Sequence, residues 1–224
     1  MPAAPAKTPP ADTPEPPADC ALCPRLAAFR AENTAAHPDW FNGAAPSFGG
    51  DDAALLIVGL APGLQGANRT GRPFTGDYAG DLLYATLHKF GFSRGAYDAR
   101  PDDGVELVGA MITNAVRCVP PQNKPIAAEI KTCRSFLITR LNSLTKLRAV
   151  LCLGRIAHDS TLAALGVRQK DAPFGHGAAH ELEGRAFKLF DSYHCSRYNT
   201  NTGRLTTEMF EDVFASVRDH IGSA

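Results

Sequence analysis

An α/β fold is what the chain predicts: a three-layer α/β/α sandwich around a central four-stranded parallel sheet. Three observations carry it. Short apolar runs alternate with longer stretches of helical periodicity. The runs are apolar throughout, as strands covered on both faces are. Glycine-rich and polar sequence gathers directly after the runs, where open α/β sheets collect their binding residues.

Seven of the 17 prolines fall within residues 1–19, MPAAPAKTPPADTPEPPAD, a stretch without apolar periodicity. Such a segment buries too little surface to offset its ordering entropy, so a disordered tail is expected there and one domain over residues 20–224. Residues 36–52 form a Gly- and Pro-containing loop, from which Trp40, Phe41 and Phe48 are expected to pack on the core. Residues 53–60, AALLIVGL, make the first strand, broken by Ala61-Pro62-Gly63. Residues 80–90 then carry Leu82, Leu83, Leu87 and Phe90 at helical spacing. Further strands are expected over 107–116, 147–153 and, more weakly, 187–193. Helices are expected over 126–144, 156–165 and 206–221, the last with Met209, Phe210, Val213, Phe214 and Val217 on one stripe.

At 224 residues the chain is long enough for one domain of ordinary size or two very small ones, and 44% hydrophobic with 21% charged residues excludes wholesale disorder. No apolar run approaches the roughly 18 residues of a membrane span. Lys plus Arg (23) balance Asp plus Glu (23), which excludes a strongly basic nucleic-acid coat but not a local basic groove. The N-terminal stretch, with Lys7 as its positive charge and no apolar core, does not read as a secretory signal. Six cysteines in such a chain point to a reducing compartment, and a cytoplasmic monomer is expected.

The strand ends carry the chemistry. After the first strand, residues 59–77 hold five glycines and two prolines, a backbone suited to close approach of a ligand or simply a long surface loop. The glycine spacing is neither that of a Walker loop nor that of the dinucleotide fingerprint. After the second strand, Asn114 lies inside an apolar run; its amide offers the donor and acceptor needed to read a base edge, or it satisfies backbone groups. After the last strand, His194 is followed by Arg197, Tyr198 and Arg204, company that favours a phosphate-bearing partner over a purely structural histidine. Arg69, Arg72, Lys124, Arg197 and Arg204 are the candidate DNA-binding cations on this face.

Cys20 and Cys23 form a Cys-x-x-Cys, and Cys118 and Cys133 stand far along the chain. A zinc ribbon brings two compact knuckles and a redox pair opens a helix after a strand, so the spacing favours an iron–sulfur cluster, with zinc as the alternative. Cys152 reads as a buried hydrophobe, and Cys195 is ambiguous.

GLAPGLQGANRTGRPFTGD, NAVRCVPPQNKP and HCSRYNTNTGRLT, with the intervening CLG and the four cysteines, together resemble family 5 (B-type) uracil-DNA glycosylases from Cys20 to the C-terminus. The resemblance implies hydrolysis of the N-glycosidic bond of uracil in DNA, by flipping the nucleotide into a pocket and leaving an abasic site. It implies a [4Fe-4S] cluster on Cys20, Cys23, Cys118 and Cys133, and DNA containing uracil or other deaminated bases as partner. Carried onto this chain, Phe74 stacks on the flipped base and Asn114 reads its edge, beside Ala61 and Gly63. His194 stabilises charge on the leaving base, Asp77 and Asn123 position water, and the Arg197–Tyr198 stretch enters the duplex. Two departures stand out. Leu60 and Ala61 are apolar where related families place a carboxylate or another polar group, and Cys195 stands where many relatives have Pro. A less polar pocket keeps open a broader enzyme that also removes hypoxanthine or xanthine. A non-catalytic iron–sulfur DNA-binding or redox-sensing protein would explain the cysteines but gives Asn114, Phe74 and His194 no joint purpose.

Overall fold

A computed structural model describes residues 13–222. In chain order the elements are α1 (Pro24–Ala36), β1 (Phe48–Gly49), β2 (Leu55–Gly59), α2 (Ala67–Thr70), α3 (Tyr78–Lys89), β3 (Ser93–Arg94), β4 (Glu106–Leu107) and β5 (Ala110–Asn114). Then come α4 (Ala127–Ser143), β6 (Ala149–Leu153), α5 (Arg155–Leu165), β7 (Ala179–Glu181), β8 (Lys188–Ser192), α6 (Arg197–Asn201) and α7 (Thr207–Gly222). The four expected strands are β2, β5, β6 and β8, and they pair in parallel. The sheet is wider than expected, with order β1-β5-β2-β6-β8-β7, because β1 and β7 add antiparallel edges.

Both faces of the sheet are covered, which is why the strands read as unbroken apolar runs. Leu55, Ile57, Ile112, Leu151 and Phe190 point to one side and meet Leu83 and Leu87 of α3 and Phe210, Val213, Phe214 and Val217 of α7. Leu56, Val58, Met111, Val150, Cys152 and Leu189 point to the other, against α4 and α5. This alternation is the period-two geometry of a strand. Cys152 is thus a core residue, its Sγ 3.4 Å from Thr161 Oγ1.

The chain leaves β2 for β5 on one side and returns to β6 on the other, so the crevice beyond the carboxyl ends of β2, β5 and β6 is the topological switch point. Within the loop at 36–52, Phe48 packs on the core and Trp40 stacks on His37 with ring centroids 3.9 Å apart. Phe41, expected in the core, is 41% exposed; its ring instead lies over Gly71. Residues 1–12, most of the expected tail, lie outside the described residues. From residue 13 the segment is laid on the domain: Pro16 is buried, and Glu15 pairs with Arg117 at 2.7 Å and Arg140 at 2.6 Å.

Candidate active site and cysteine cavity

At the switch point lies a cavity of about 370 Å³ lined by Leu60, Ala61, Pro62, Gly63, Ala67, Phe74, Asp77, Tyr78, Ala79, Asn114, Asn123, His194, Ser196 and Arg197. The predicted substrate and catalytic residues (Ala61, Gly63, Phe74, Asp77, Asn114, Asn123 and His194) therefore meet in one place, although they come from three separate loops.

Local folding explains each position. Asn114 is the last residue of β5 and pairs in register with Gly59, the last of β2. A side chain at Gly59 would overlap Asn114 Oδ1 and press on the Phe74 ring, so the glycine is what lets both reach the cavity. Phe74 is held at φ 54°, a left-handed conformation unusual for an aromatic residue. Its carbonyl accepts from Tyr97 Oη at 3.2 Å, and its ring lies 5.8 Å from that of His194, at 27°. Asp77 caps α3, accepting the Gly80 N–H at 3.3 Å. Its Oδ2 lies against Gly63 and Gly66, and a Cβ at Gly66 would overlap it. Asn123 also adopts a left-handed backbone, φ 57°, at the exposed rim.

The electrostatics suit a site reserved for a ligand. Asn114 Oδ1 and His194 Nδ1 are buried with no hydrogen-bond partner among the described residues. Buried polar atoms are ordinarily paired, so two orphans in one cavity mark where a ligand's polar atoms belong. Burial pushes the pKa of His194 down to about 4, leaving a neutral imidazole at pH 7. Such a ring donates a hydrogen bond without giving up a formal charge. Burial also raises the pKa of Asp77, against the hydrogen bonds from the Gly80 and Ala79 N–H groups.

Around the mouth, Arg197 stacks over Tyr78 with its guanidinium carbon 5.1 Å from the ring centre, and Tyr198 is 72% exposed on α6. Arg204 lies 4.6 Å above Tyr193, and Lys124 is exposed beside Asn123. Arg69 is exposed but donates to the carbonyls of Gln65 and Gly76. Arg72 is not a surface cation. It is 6% exposed and makes a bidentate pair with Asp103, both contacts 2.7 Å, and its Nε donates to Thr75. Its charge locks the first loop to the 98–105 segment and is not available to DNA. Arg155, which the sequence reading passed over, is exposed at the start of α5 and shares a second cavity of about 310 Å³ with Phe174, Tyr193, His194 and Arg204. Its signal was its place directly after the CLG strand end.

Cys20, Cys23, Cys118 and Cys133 line a separate, mainly apolar cavity with Leu22, Leu26, Val116 and Phe136. A single zinc with Zn–S near 2.3 Å needs sulfurs about 3.8 Å apart. No three of these thiols have all their sulfurs within 4.8 Å of one another. Four thiols lining one cavity, with the Arg30 guanidinium donating to Cys118 Sγ at 2.8 Å, make a donor set of the kind that thiolate-bound metal groups use. Burial pushes the Cys23 thiol up to about 11 and the Cys133 thiol up to about 12, so a group bound here must displace protons. Cys195, by contrast, is a core residue whose Sγ donates to the Ala79 carbonyl at 3.4 Å. His158, His180 and Asp191 do bring donor atoms within 4.8 Å of one another. Both ring nitrogens of His158 are already engaged, Nδ1 with Asp191 at 2.7 Å and Nε2 with the Ala172 carbonyl at 2.9 Å. The trio ties the 172–180 segment to β8.

The Uracil DNA glycosylase superfamily pattern matches residues 46–218. The chain is similar to the Type-5 uracil-DNA glycosylase of Thermus thermophilus, 44% identical over 89% of this chain and 92% of that protein. It is similar to the Type-5 uracil-DNA glycosylase of Pyrobaculum aerophilum, 39% identical over 87% and 86%. Similarity to the Type-4 uracil-DNA glycosylase of the same organism is weaker, 31% over 67% and 70%.

Proposed function

Because this chain belongs to the Uracil DNA glycosylase superfamily, we propose that it excises uracil from DNA, hydrolysing the N-glycosidic bond and leaving an abasic site for repair. The observation that carries the reading is the convergence of an unpartnered buried amide oxygen, an aromatic ring and an unpartnered buried imidazole nitrogen in one cavity at the switch point. A pyrimidine flipped from the stack lies on Phe74, and the Asn114 amide pairs with its polar edge. Exposed Tyr198, beside Arg197, fills the gap in the duplex.

As the C1′–N1 bond breaks, its electron pair leaves with the base, and positive charge grows on the sugar. His194 donates to a carbonyl oxygen of the departing base, stabilising the anion that leaves. Asp77 faces the developing cation, and with Asn123 it orients the water whose oxygen joins C1′ while the proton that this water loses neutralises the departed base anion. No carboxylate stands at Leu60 or Ala61, so stabilisation of the leaving group dominates over general-base activation. The apolar wall of Leu60, Ala61 and Gly63 favours a second reading, in which hypoxanthine and xanthine are also released. Cys20, Cys23, Cys118 and Cys133 would hold a [4Fe-4S] cluster, which clamps the N-terminal arm to the β5 end and to α4. The enzyme acts as a cytoplasmic monomer on DNA.

Single-turnover release from duplexes carrying uracil, hypoxanthine or xanthine, followed by alkaline strand cleavage, tests this reading. Uracil release is expected. A well-folded, iron-loaded enzyme inactive on all three would refute it.

A further inference from the structure

The cysteine cavity is bordered by two buried arginines with different company. Arg117 donates from its backbone N–H to Cys133 Sγ at 3.3 Å, while its guanidinium is committed elsewhere: Glu15, Ser47 and the carbonyls of Ala45 and Pro14 surround it. Arg30 is 6% exposed on the inner face of α1. Its Nη1 donates to Cys118 Sγ at 2.8 Å and its Nη2 to the Cys20 carbonyl at 2.7 Å. Among the described residues no carboxylate lies within ion-pair distance of it; Glu129, the nearby acid on α4, is taken by Arg25.

A buried guanidinium without a carboxylate is costly, and natural proteins balance such a charge with an anion. The groups it touches are a cysteine sulfur and the carbonyl of a second cysteine. A cluster held by four thiolates is anionic and becomes more so on reduction, so it supplies the missing counter-charge. Hydrogen bonds and positive charge at the sulfurs stabilise the reduced form and raise the potential of iron–sulfur groups.

We propose that Arg30 is a cofactor-binding residue: its charged hydrogen bond to Cys118 neutralises the thiolate-bound cluster and sets its reduction potential, while its second bond holds the Cys20 segment in ligating position. The inference rests on the cluster reading given above. Lys at this position would keep the charge but lose the planar fork that reaches two acceptors at once. Gln would keep a donor without charge, and Met would keep neither.

The test uses anaerobically purified full-length protein. Iron and sulfide per chain are measured first, since a parent without iron overturns the cluster reading and this proposal with it. With iron present, protein-film voltammetry of the parent, Arg30→Lys, Arg30→Gln and Arg30→Met reads the proposal directly. The midpoint should stay near the parent value in Lys, become more negative in Gln and more negative again in Met. Bleaching of the visible absorbance in air should quicken several-fold in the same order. An iron-loaded Arg30→Met with the parent's midpoint and lifetime would overturn the role of Arg30 and leave the cluster intact. If Gln and Met load little iron while Lys loads fully, the charge is required for binding, as proposed. Loss of folding in Lys and Gln alike, seen by circular dichroism, would assign Arg30 to the packing of α1 and overturn the electrostatic role.

Discussion

The end of β5 serves two regions that lie a few residues apart and are built on opposite principles. Asn114 faces the cavity at the switch point, where Asn114 Oδ1 and His194 Nδ1 are left without partners. Arg117, three residues on, faces the arm that carries the cysteines. There Glu15 binds both Arg117 and Arg140, and Arg140 also reaches Asp51 at 2.7 Å. The first region leaves cavity-facing polar atoms unsatisfied and holds Phe74 and Asn123 in left-handed backbone; the second ties Glu15, Arg117, Arg140 and Asp51 to one another, with Arg30 turned to the cysteine cavity and Arg140 Nε unpaired. Unpaired buried groups are tolerated where a ligand completes them, and paired ones where the chain itself must be held. Mutations should therefore separate rate from stability.

The largest effect is expected at Glu15. Glu15→Ala leaves two buried guanidinium groups short of their shared partner and should lower unfolding free energy by about 3–5 kcal/mol. Urea melts measure this, while the single-turnover rate of the folded fraction should stay near that of the parent. Rate loss in proportion to stability would erase the contrast between the regions.

His194→Ala should do the reverse. Removing one preorganised donor to a developing anion costs about 100–1000-fold in rate. The melting curve should scarcely move, because the buried nitrogen has no protein partner to lose. A stable, fully active variant would show that leaving-group stabilisation comes from elsewhere.

Asn114→Ala sharpens the pocket side further. Loss of the amide that reads the base edge should cut the preference for uracil over hypoxanthine by about 1–3 kcal/mol, or roughly 5–150-fold. Parallel single-turnover assays on the two substrates give the ratio directly.

The mildest expectation concerns pH. His194 is neutral in the fold until about pH 4, whereas in the unfolded chain it takes up a proton below about 6.5. The unfolded state then binds more protons, so stability falls as pH drops through this window, by about 1.4 kcal/mol at one unit below 6.5. His194→Asn should flatten that part of the stability profile. An unchanged profile would mean that the imidazole is not desolvated.

Much of the molecule was legible from pattern. The four parallel strands and the helices α3, α4, α5 and α7 follow from apolar spacing alone, since burial on two faces or on one stripe writes itself into residue order. Helix α1 escaped because its buried face contains Arg30 and Asn33, polar residues that leave no apolar stripe to see. The edge strands β1 and β7 are two and three residues long, too short for any period. The glycines of the first loop signalled close approach, but not what approached: at Gly59 and Gly66 it is Asn114 and Asp77, side chains of the protein itself.

Residue order by itself determined the layers, the strand ends and the chemical types waiting there, because these depend on local periodicity and on where polar residues interrupt it. Which charges face solvent and which face each other was decided only by the tertiary structure. Arg72 and Arg197 both stand in strand-end loops among glycines and polar residues, yet one is buried on Asp103 and the other lies open at the cavity mouth. Glu15, inside a proline-rich stretch, pairs with arginines more than a hundred residues away. The strength and meaning of a charge depend on its distance to a partner and on the water between them, and no spacing along the chain encodes either one.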